Sequence, residues 1–486
     1  MKRELELLRE KMRETGVDAC LIPTSDFHGS EYVGDYFKCR EYISGFTGSA
    51  GTLVVTLDEA GLWTDGRYFL QAAKQLEGSG IMLRKERQPG VPAIEEYLKQ
   101  TLKKGETLGF DGRCIMQDSA EKLITQLNAQ GVAVRTDIDL TGAVWKNCPE
   151  LSAQPVWPLP VEYAGESSES KIKRVREFLV EKKADYFLLT SLEDIAWLLN
   201  MRGNDVESTP VILSYLLLGE KKLTWYVQAK CLSEKIKILL DMQGIKAAPY
   251  AQIYEDIKKL PEDASIYYDK SAVNTALVSS LPEKVKKIEG VNPTFLFKAK
   301  KNPVEVENER NAHIKDGVAV TKFIYWLKSQ IGKTKITEIS AAEQLEQFRN
   351  TQEHYVEPSF APIIAYKEHG AIVHYSATKE SDVELKPESF VLADTGGHYL
   401  EGTTDITRTI ALGSLTQEEK ESLPWGARLM TLECGIRFLT DYLQGDTYFK
   451  TAYPEHNLVR ARTQFKLVDE MEQQFDKMQE IIQKYC

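Results

Sequence analysis

The sequence predicts an α/β chain of about three domains: two copies of one helix-then-strand unit, followed by a domain of mixed α+β character. Three observations predict it. At 486 residues the chain is too long for a single hydrophobic core. Two distant segments repeat, "LREKMRETGVDACLIPTS" (8–25) and "VREFLVEKKADYFLLTS" (175–191). Both carry Arg-Glu, an Asp nine residues after the Arg, and an apolar strand ending Thr-Ser. Finally, "CPELSAQPVWPLPVEYAGESSESKIK" (148–173) has linker composition, and a second boundary falls near 298–303. The expected division is 1–150, 151–300, 301–420, and an unassigned helical tail over 421–486.

The elements follow in order. Leu5, Leu8 and Met12 fall at helical spacing, Gly16 is placed to end that helix, and "DACLIP" is a buried strand. "TLVVT" (52–56) is a strand, and "RYFLQAAKQL" opens a helix after the Asp65-Gly66 turn. The glycines of "FTGSAG" precede a strand where a phosphate loop needs a helix, so they read as a tight turn. "VILSYLLLG" (211–219) suits a buried strand and is far too short to cross a bilayer. Near the second boundary, Asn302 is an N-cap, Pro303 the first helical residue, and Glu305 lies in the first turn. Val306, His313, Val320 and Phe323 then keep helical spacing, with His313 a helix residue and not a ligand.

Composition excludes several functions. A net charge of −11 supplies no basic surplus for nucleic acid or an anionic membrane surface. The charged start "MKRELELLREKM" is unlike a secretory signal. Seven scattered cysteines without a CxxC pair suit free thiols in a reducing compartment, so a cytoplasmic protein is expected.

The chemistry concentrates in "DTGGHYLEGTTDITRT" (394–409). "SFVLAD" is a strand ending at Asp394; Gly396-Gly397 turns the chain, which returns through Asp405. In the returning strand Asp405, Thr407 and Thr409 share one face. Two carboxylates brought together on adjacent strands need a cation or a shared proton between them. Hard oxygen ligands of this kind suit Mn²⁺ or Mg²⁺. Spacing alone equally allows one Asp in the turn and the other facing solvent.

This hairpin resembles that of the pita-bread metallopeptidases, specifically the three-domain Xaa-Pro aminopeptidases (aminopeptidase P). "IPTSDFHGSEY", "REYISGFTGSAGTLVVT", "GLWTDGRYFLQA", "LEDIAWLLNMRGNDV", "KNPVEVENERNAHIKDG" and "AIVHYSA" are similar to family stretches, in family order, over residues 1 to about 420. The resemblance implies two creatinase/prolidase-type α/β domains ahead of an α+β pita-bread catalytic domain. It implies substrates with proline at the second position and two metal ions, usually Mn²⁺, held by two Asp, one His and two Glu. By residue-level match Asp394 and Asp405 are the two Asp ligands. His374 in "IVHY", otherwise readable as a packed strand residue, becomes the substrate-side histidine.

The chain then departs from the pattern. No Gly-rich His segment follows Asp405, and no Glu-Pro-Gly occurs anywhere. "GIRFLTD" (435–441) has Leu439 where a ligand Glu would stand. The change near 415–425 reads as a deletion, frameshift or fusion that leaves the catalytic domain truncated. In 465–486, Val468, Met471, Phe475, Met478, Ile482 and Tyr485 recur at helical a/d spacing. Such a helix packs on its own chain or pairs with a copy, giving a homodimer. The expectation is therefore a family member with impaired or absent activity and poor metal occupancy. The third domain is expected to be partly unfolded or aggregation-prone. The alternative is a non-catalytic oligomerisation or binding module of the same family.

Overall fold

The computed structural model describes residues 3–485. The first sheet comprises β1 (Ala19–Pro23), β2 (Thr52–Thr56), β3 (Ala60–Thr64), β4 (Met82–Lys85), β5 (Thr107–Gly109) and β6 (Ala133–Arg135). Helix α1 (Arg3–Thr15) buries Leu5, Leu8 and Met12 and gives way to Gly16 at φ 67°, where a left-handed residue is needed. The second sheet comprises β7 (Tyr186–Leu189), β8 (Ser214–Gly219), β9 (Leu223–Val227), β10 (Ile245–Ala248), β11 (Ser265–Tyr268) and β12 (Lys286–Glu289). Helix α2 (Ser168–Lys182) precedes β7 as α1 precedes β1.

The repeat read from the sequence is a repeat of topology. The strand orders are β4-β3-β2-β1-β5-β6 and β10-β9-β8-β7-β11-β12. Pairing senses also agree: β1 and β7 are each antiparallel to one neighbour and parallel to the other. Strands β3 and β8 are buried along their whole length, which explains the continuous apolar run in "SYLLLG". Across the junction between these domains, His28 Nδ1 lies 2.9 Å from the Thr190 carbonyl and Nε2 lies 2.7 Å from the Tyr250 hydroxyl.

The third unit opens with α3 (Pro303–Gln330), whose Asn302–Glu305 capping box is fully formed. Helix α4 (Glu338–Asn350) packs beside it, and both back a sheet of β14 (Ile363–Tyr366), β15 (Phe390–Thr395) and β17 (Ile406–Ala411). A second, two-stranded sheet pairs β13 (Tyr355–Pro358) with β16 (Gly397–Tyr399). In the larger sheet β15 is central and β17 forms an edge with no further strand beside it among the described residues. His313 lies on α3 with its ring exposed, 2.9 Å from the Glu309 carbonyl, as a helix-surface residue.

The tail is a helical hairpin of α5 (Gln417–Leu443), α6 (His456–Gln473) and α7 (Phe475–Tyr485). The single amphipathic helix expected over 465–486 is interrupted at Gln474. Val468 is buried and Phe475 sets its ring 4.8 Å from that of Trp425 on α5, so this part of the stripe packs within the chain, while Tyr485 at its end stays exposed. "GIRFLTD" lies inside α5, where Gly435 abuts Phe465 of α6; its likeness to a ligand segment is incidental.

Candidate metal hairpin

Strand β15 alternates half-buried and buried residues, so Val391, Ala393 and Thr395 face the core while Leu392 and Asp394 face outward. Asp394 pairs in register with Thr407 of β17, and Thr395 with Ile406. Asp405 immediately precedes β17 and lies two residues before Thr407, so it shares the face of Thr407 and sits diagonally across from Asp394 on the outer side. The two carboxylates feel each other. Asp405 has its pKa raised, first by partial burial and then by the charge of Asp394. The Thr407 hydroxyl donates to Asp394 Oδ1 at 2.6 Å.

What fixes the hairpin lies on its other face. Asp316 of α3 and Arg349 of α4 are buried, with Arg349 Nε 2.7 Å from Asp316 Oδ1. Arg349 Nη2 also donates to the Thr395 hydroxyl at 3.0 Å, and the Thr404 hydroxyl donates to Asp316 Oδ2 at 2.6 Å. The Tyr399 hydroxyl completes the set at 3.2 Å from Asp316 Oδ1. Thr395 and Thr404 are the chain neighbours of Asp394 and Asp405, so one buried ion pair braces both carboxylate positions. Sequence reasoning passed over this network. Its trace was present in "DT" and "TD", where the strand period turns each Thr inward as each Asp turns outward.

The hairpin tip is also tethered. Glu401 accepts from Lys315 Nζ at 2.5 Å and from His354 Nδ1 at 2.7 Å. His398 Nε2 donates to the Ser208 carbonyl of the second domain at 2.9 Å while Nδ1 accepts from the Thr403 hydroxyl at 2.8 Å. Burial lowers the His398 pKa, which agrees with a neutral ring in that one tautomer.

His374 does not lie in a strand. It follows the short 3-10 helix Lys367–Ala371 in a turn, exposed, at φ 57°. Buried Glu338 holds this segment, accepting from Tyr375 Oη at 2.7 Å, Tyr366 N at 2.8 Å and His369 Nδ1 at 2.9 Å. His374 Nδ1 lies 3.4 Å from the Tyr68 hydroxyl of the first domain. It has no hydrogen bond to Asp394 or Asp405 among the described residues. The structure thus brings the two aspartates together and sets the histidine against the first domain.

The donor set falls short of a two-metal centre. Among the described residues no three His, Cys, Asp or Glu side chains converge closely enough to share an ion. His456, the only histidine after Asp405, accepts the Ala452 N–H at 3.1 Å inside the tail hairpin. Two carboxylates do not fit a pair of divalent ions, which need several protein ligands each to fix their geometry.

Known proteins resemble the chain along most of its length. Family models described as "Creatinase/Prolidase N-terminal domain" match residues 4–146 and 147–305, and "Metallopeptidase family M24" matches 307–424. The chain is therefore a metallopeptidase-fold protein with a duplicated creatinase-type N-terminal half. "Xaa-Pro aminopeptidase 1" of Dictyostelium discoideum is 36% identical over 437 residues, covering 86% of this chain and 68% of that protein. "Probable Xaa-Pro aminopeptidase P" of Sordaria macrospora is 37% identical over 433 residues, covering 86% of this chain and 70% of that protein. An X-prolyl aminopeptidase from Caenorhabditis elegans superposes with a TM-score of 0.83 at 30% identity. That match covers 90% of this chain and 73% of that one, which is described as a cytosolic enzyme with a di-nuclear active site. The protein belongs to the Xaa-Pro aminopeptidase family.

Proposed function

We propose that this chain has an Xaa-Pro aminopeptidase scaffold with an incomplete metal grip: it recognises peptides with proline second but is impaired or inactive in hydrolysis. The observation that carries the reading is the pairing of Asp394 and Asp405 on one open sheet face without a third ligand among the described residues. In a complete site two divalent ions, expected to be Mn²⁺, supply an activated water and polarise the scissile carbonyl. Here Asp394 and Asp405 would hold a single hydrated cation, and His374 would contact the peptide. The three-domain division read from the sequence is kept in this reading, as is a cytoplasmic location. The latter draws on the free cysteines and on the relative described as cytosolic. Among the described residues no helix is long and apolar enough to cross a membrane.

Titration calorimetry with Mn²⁺ and release of the first residue from an Xaa-Pro-Pro peptide test it together. Expected are metal affinity on the order of millimolar, as for sparsely liganded sites, and no detectable turnover. Tight binding of two ions per chain with turnover overturns the impairment.

A further inference from the structure

The segment from Lys367 to Tyr375 carries two imidazoles, tied in the same manner. His369 holds Nδ1 2.9 Å from Glu338 Oε1 and 3.1 Å from Oε2. His374 holds Nδ1 3.4 Å from the Tyr68 hydroxyl. Neither ring has a hydrogen-bond partner for its Nε2 among the described residues. The 3-10 helix Lys367–Ala371 packs against β14 and β15. A Cβ at Gly370 would sit 3.9 Å from that of Leu392, and Leu392 shares the outer face with Asp394, two residues along the strand. His369 thus borders the face that carries the aspartate pair.

His369 is held firmly. Glu338 is fully buried, and the Tyr366 N–H and the Tyr375 hydroxyl both donate to it. An acceptor-only carboxylate takes its third bond from Nδ1–H, which leaves the Nε2 lone pair free in the neutral ring. Tyr375 also stacks on the imidazole, with centroids 4.5 Å apart and planes 26° apart. The His369 side chain nonetheless keeps 19% exposure. For the fold, any donor to Glu338 would do. A ring locked through one nitrogen and open at the other is how proteins aim an imidazole at a ligand.

We propose that His369 is a second peptide-contacting residue, whose Nε2 accepts the backbone N–H of the residue that follows the proline. The inference rests on the reading of the hairpin as a peptide site and deepens it. Proline has no N–H, so the first amide donor past the scissile bond belongs to the third residue. In an extended peptide that nitrogen lies roughly 5 Å beyond the scissile carbonyl carbon. The step from Asp394 to Leu392 is of the same order, roughly 7 Å in a strand. A peptide lying along β15 with its scissile bond at the aspartates brings its third N–H to the edge where His369 stands.

The test uses the full chain with Mn²⁺ and two tripeptides, Ala-Pro-Ala and its analogue N-methylated at the third residue, with affinities read by calorimetry. Ala-Pro-Ala should bind roughly fivefold tighter, the size of one net hydrogen bond. His369→Phe, which keeps an aromatic ring on Tyr375, should bind both peptides equally; a structural role alone would not remove that one difference. A second readout needs no variant. With Mg²⁺ in place of Mn²⁺, the ¹⁵N signal of His369 Nε2 should move on adding Ala-Pro-Ala and stay in place with the N-methyl peptide. Equal affinities for the unmodified protein, a preference that survives His369→Phe, or an unmoved Nε2 signal overturns the assignment and leaves the peptide-site reading standing. Failure of both peptides to bind overturns the peptide-site reading, and the assignment with it.

Discussion

The two N-terminal domains and the third domain cover their sheets by different means. Each N-terminal sheet has six strands, with fully buried strands in the middle and apolar residues on both faces. The third domain pairs three strands, and its central strand alternates buried and half-buried residues. One face of that sheet belongs to the core and the other carries Asp394 and Asp405. The difference teaches how a sheet can leave one face free of the core: the hairpin is braced from its inner side. The first two domains hold large apolar clusters beside scattered buried polar contacts such as Lys171–Asn200, whereas the third has a smaller apolar cluster and a buried Asp316–Arg349 pair at its hairpin.

The strongest way to break that comparison is Arg349→Met. It leaves Asp316 buried and charged with only hydroxyl donors, a loss of about 3–5 kcal/mol for such pairs. Denaturant unfolding should show the third-domain transition moving to lower concentration while the N-terminal transition stays in place. A uniform shift of one merged transition would show that the domains unfold as one unit. Exchanging both partners, Asp316→Leu with Arg349→Met, should restore much of the loss, because no unpaired charge then remains.

Much of this was legible in the sequence, for physical reasons. The duplicated domain could be read because buried strands leave continuous apolar runs, and "DACLIP" and "YFLLTS" carry them at the same distance from a helix. The cap at Asn302 could be read because capping is local chemistry. The aspartate pair needed register, which spacing left open and the pairing of Asp394 with Thr407 resolves. The Arg349–Asp316 bolt was not legible, since those residues are 33 positions apart on different helices and neither stands in a motif. The residues alone read His374 as a packed strand residue and the family match as a substrate-side histidine; it stands in a left-handed turn held by Glu338, 36 residues upstream, which neither reading contained.

A smaller effect sharpens the comparison at the boundary. Asn302 caps α3 by accepting the Glu305 N–H at 2.9 Å, and its Nδ2 donates to the Ala164 carbonyl of the second domain at 2.9 Å. Asn302→Ala should cost about 1 kcal/mol for the lost cap. If the bond to Ala164 couples the domains, the two unfolding transitions will also separate further. Unchanged spacing between them would confine Asn302 to a local role.

The smallest expected effect isolates the open face. Asp405 has a raised pKa in the folded state, so its ionised form is disfavoured there and opposes folding once pH exceeds the unfolded-state value. Stability should therefore fall as pH rises from the unfolded value through the folded one, then level off. Asp405→Asn should remove that slope and, without metal, stabilise the third domain at neutral pH. Because the side chain is exposed, solvent screening limits the gain to roughly a few tenths of a kcal/mol. With millimolar Mn²⁺ the sign should reverse, since the variant lacks one of the two carboxylates proposed to hold the ion and with it any metal-linked stabilisation. Thermal or urea melts in EDTA and in Mn²⁺ read both signs from one pair of proteins. Loss of stability in EDTA would mean that the ionised Asp405 makes a favourable contact that outweighs its repulsion from Asp394.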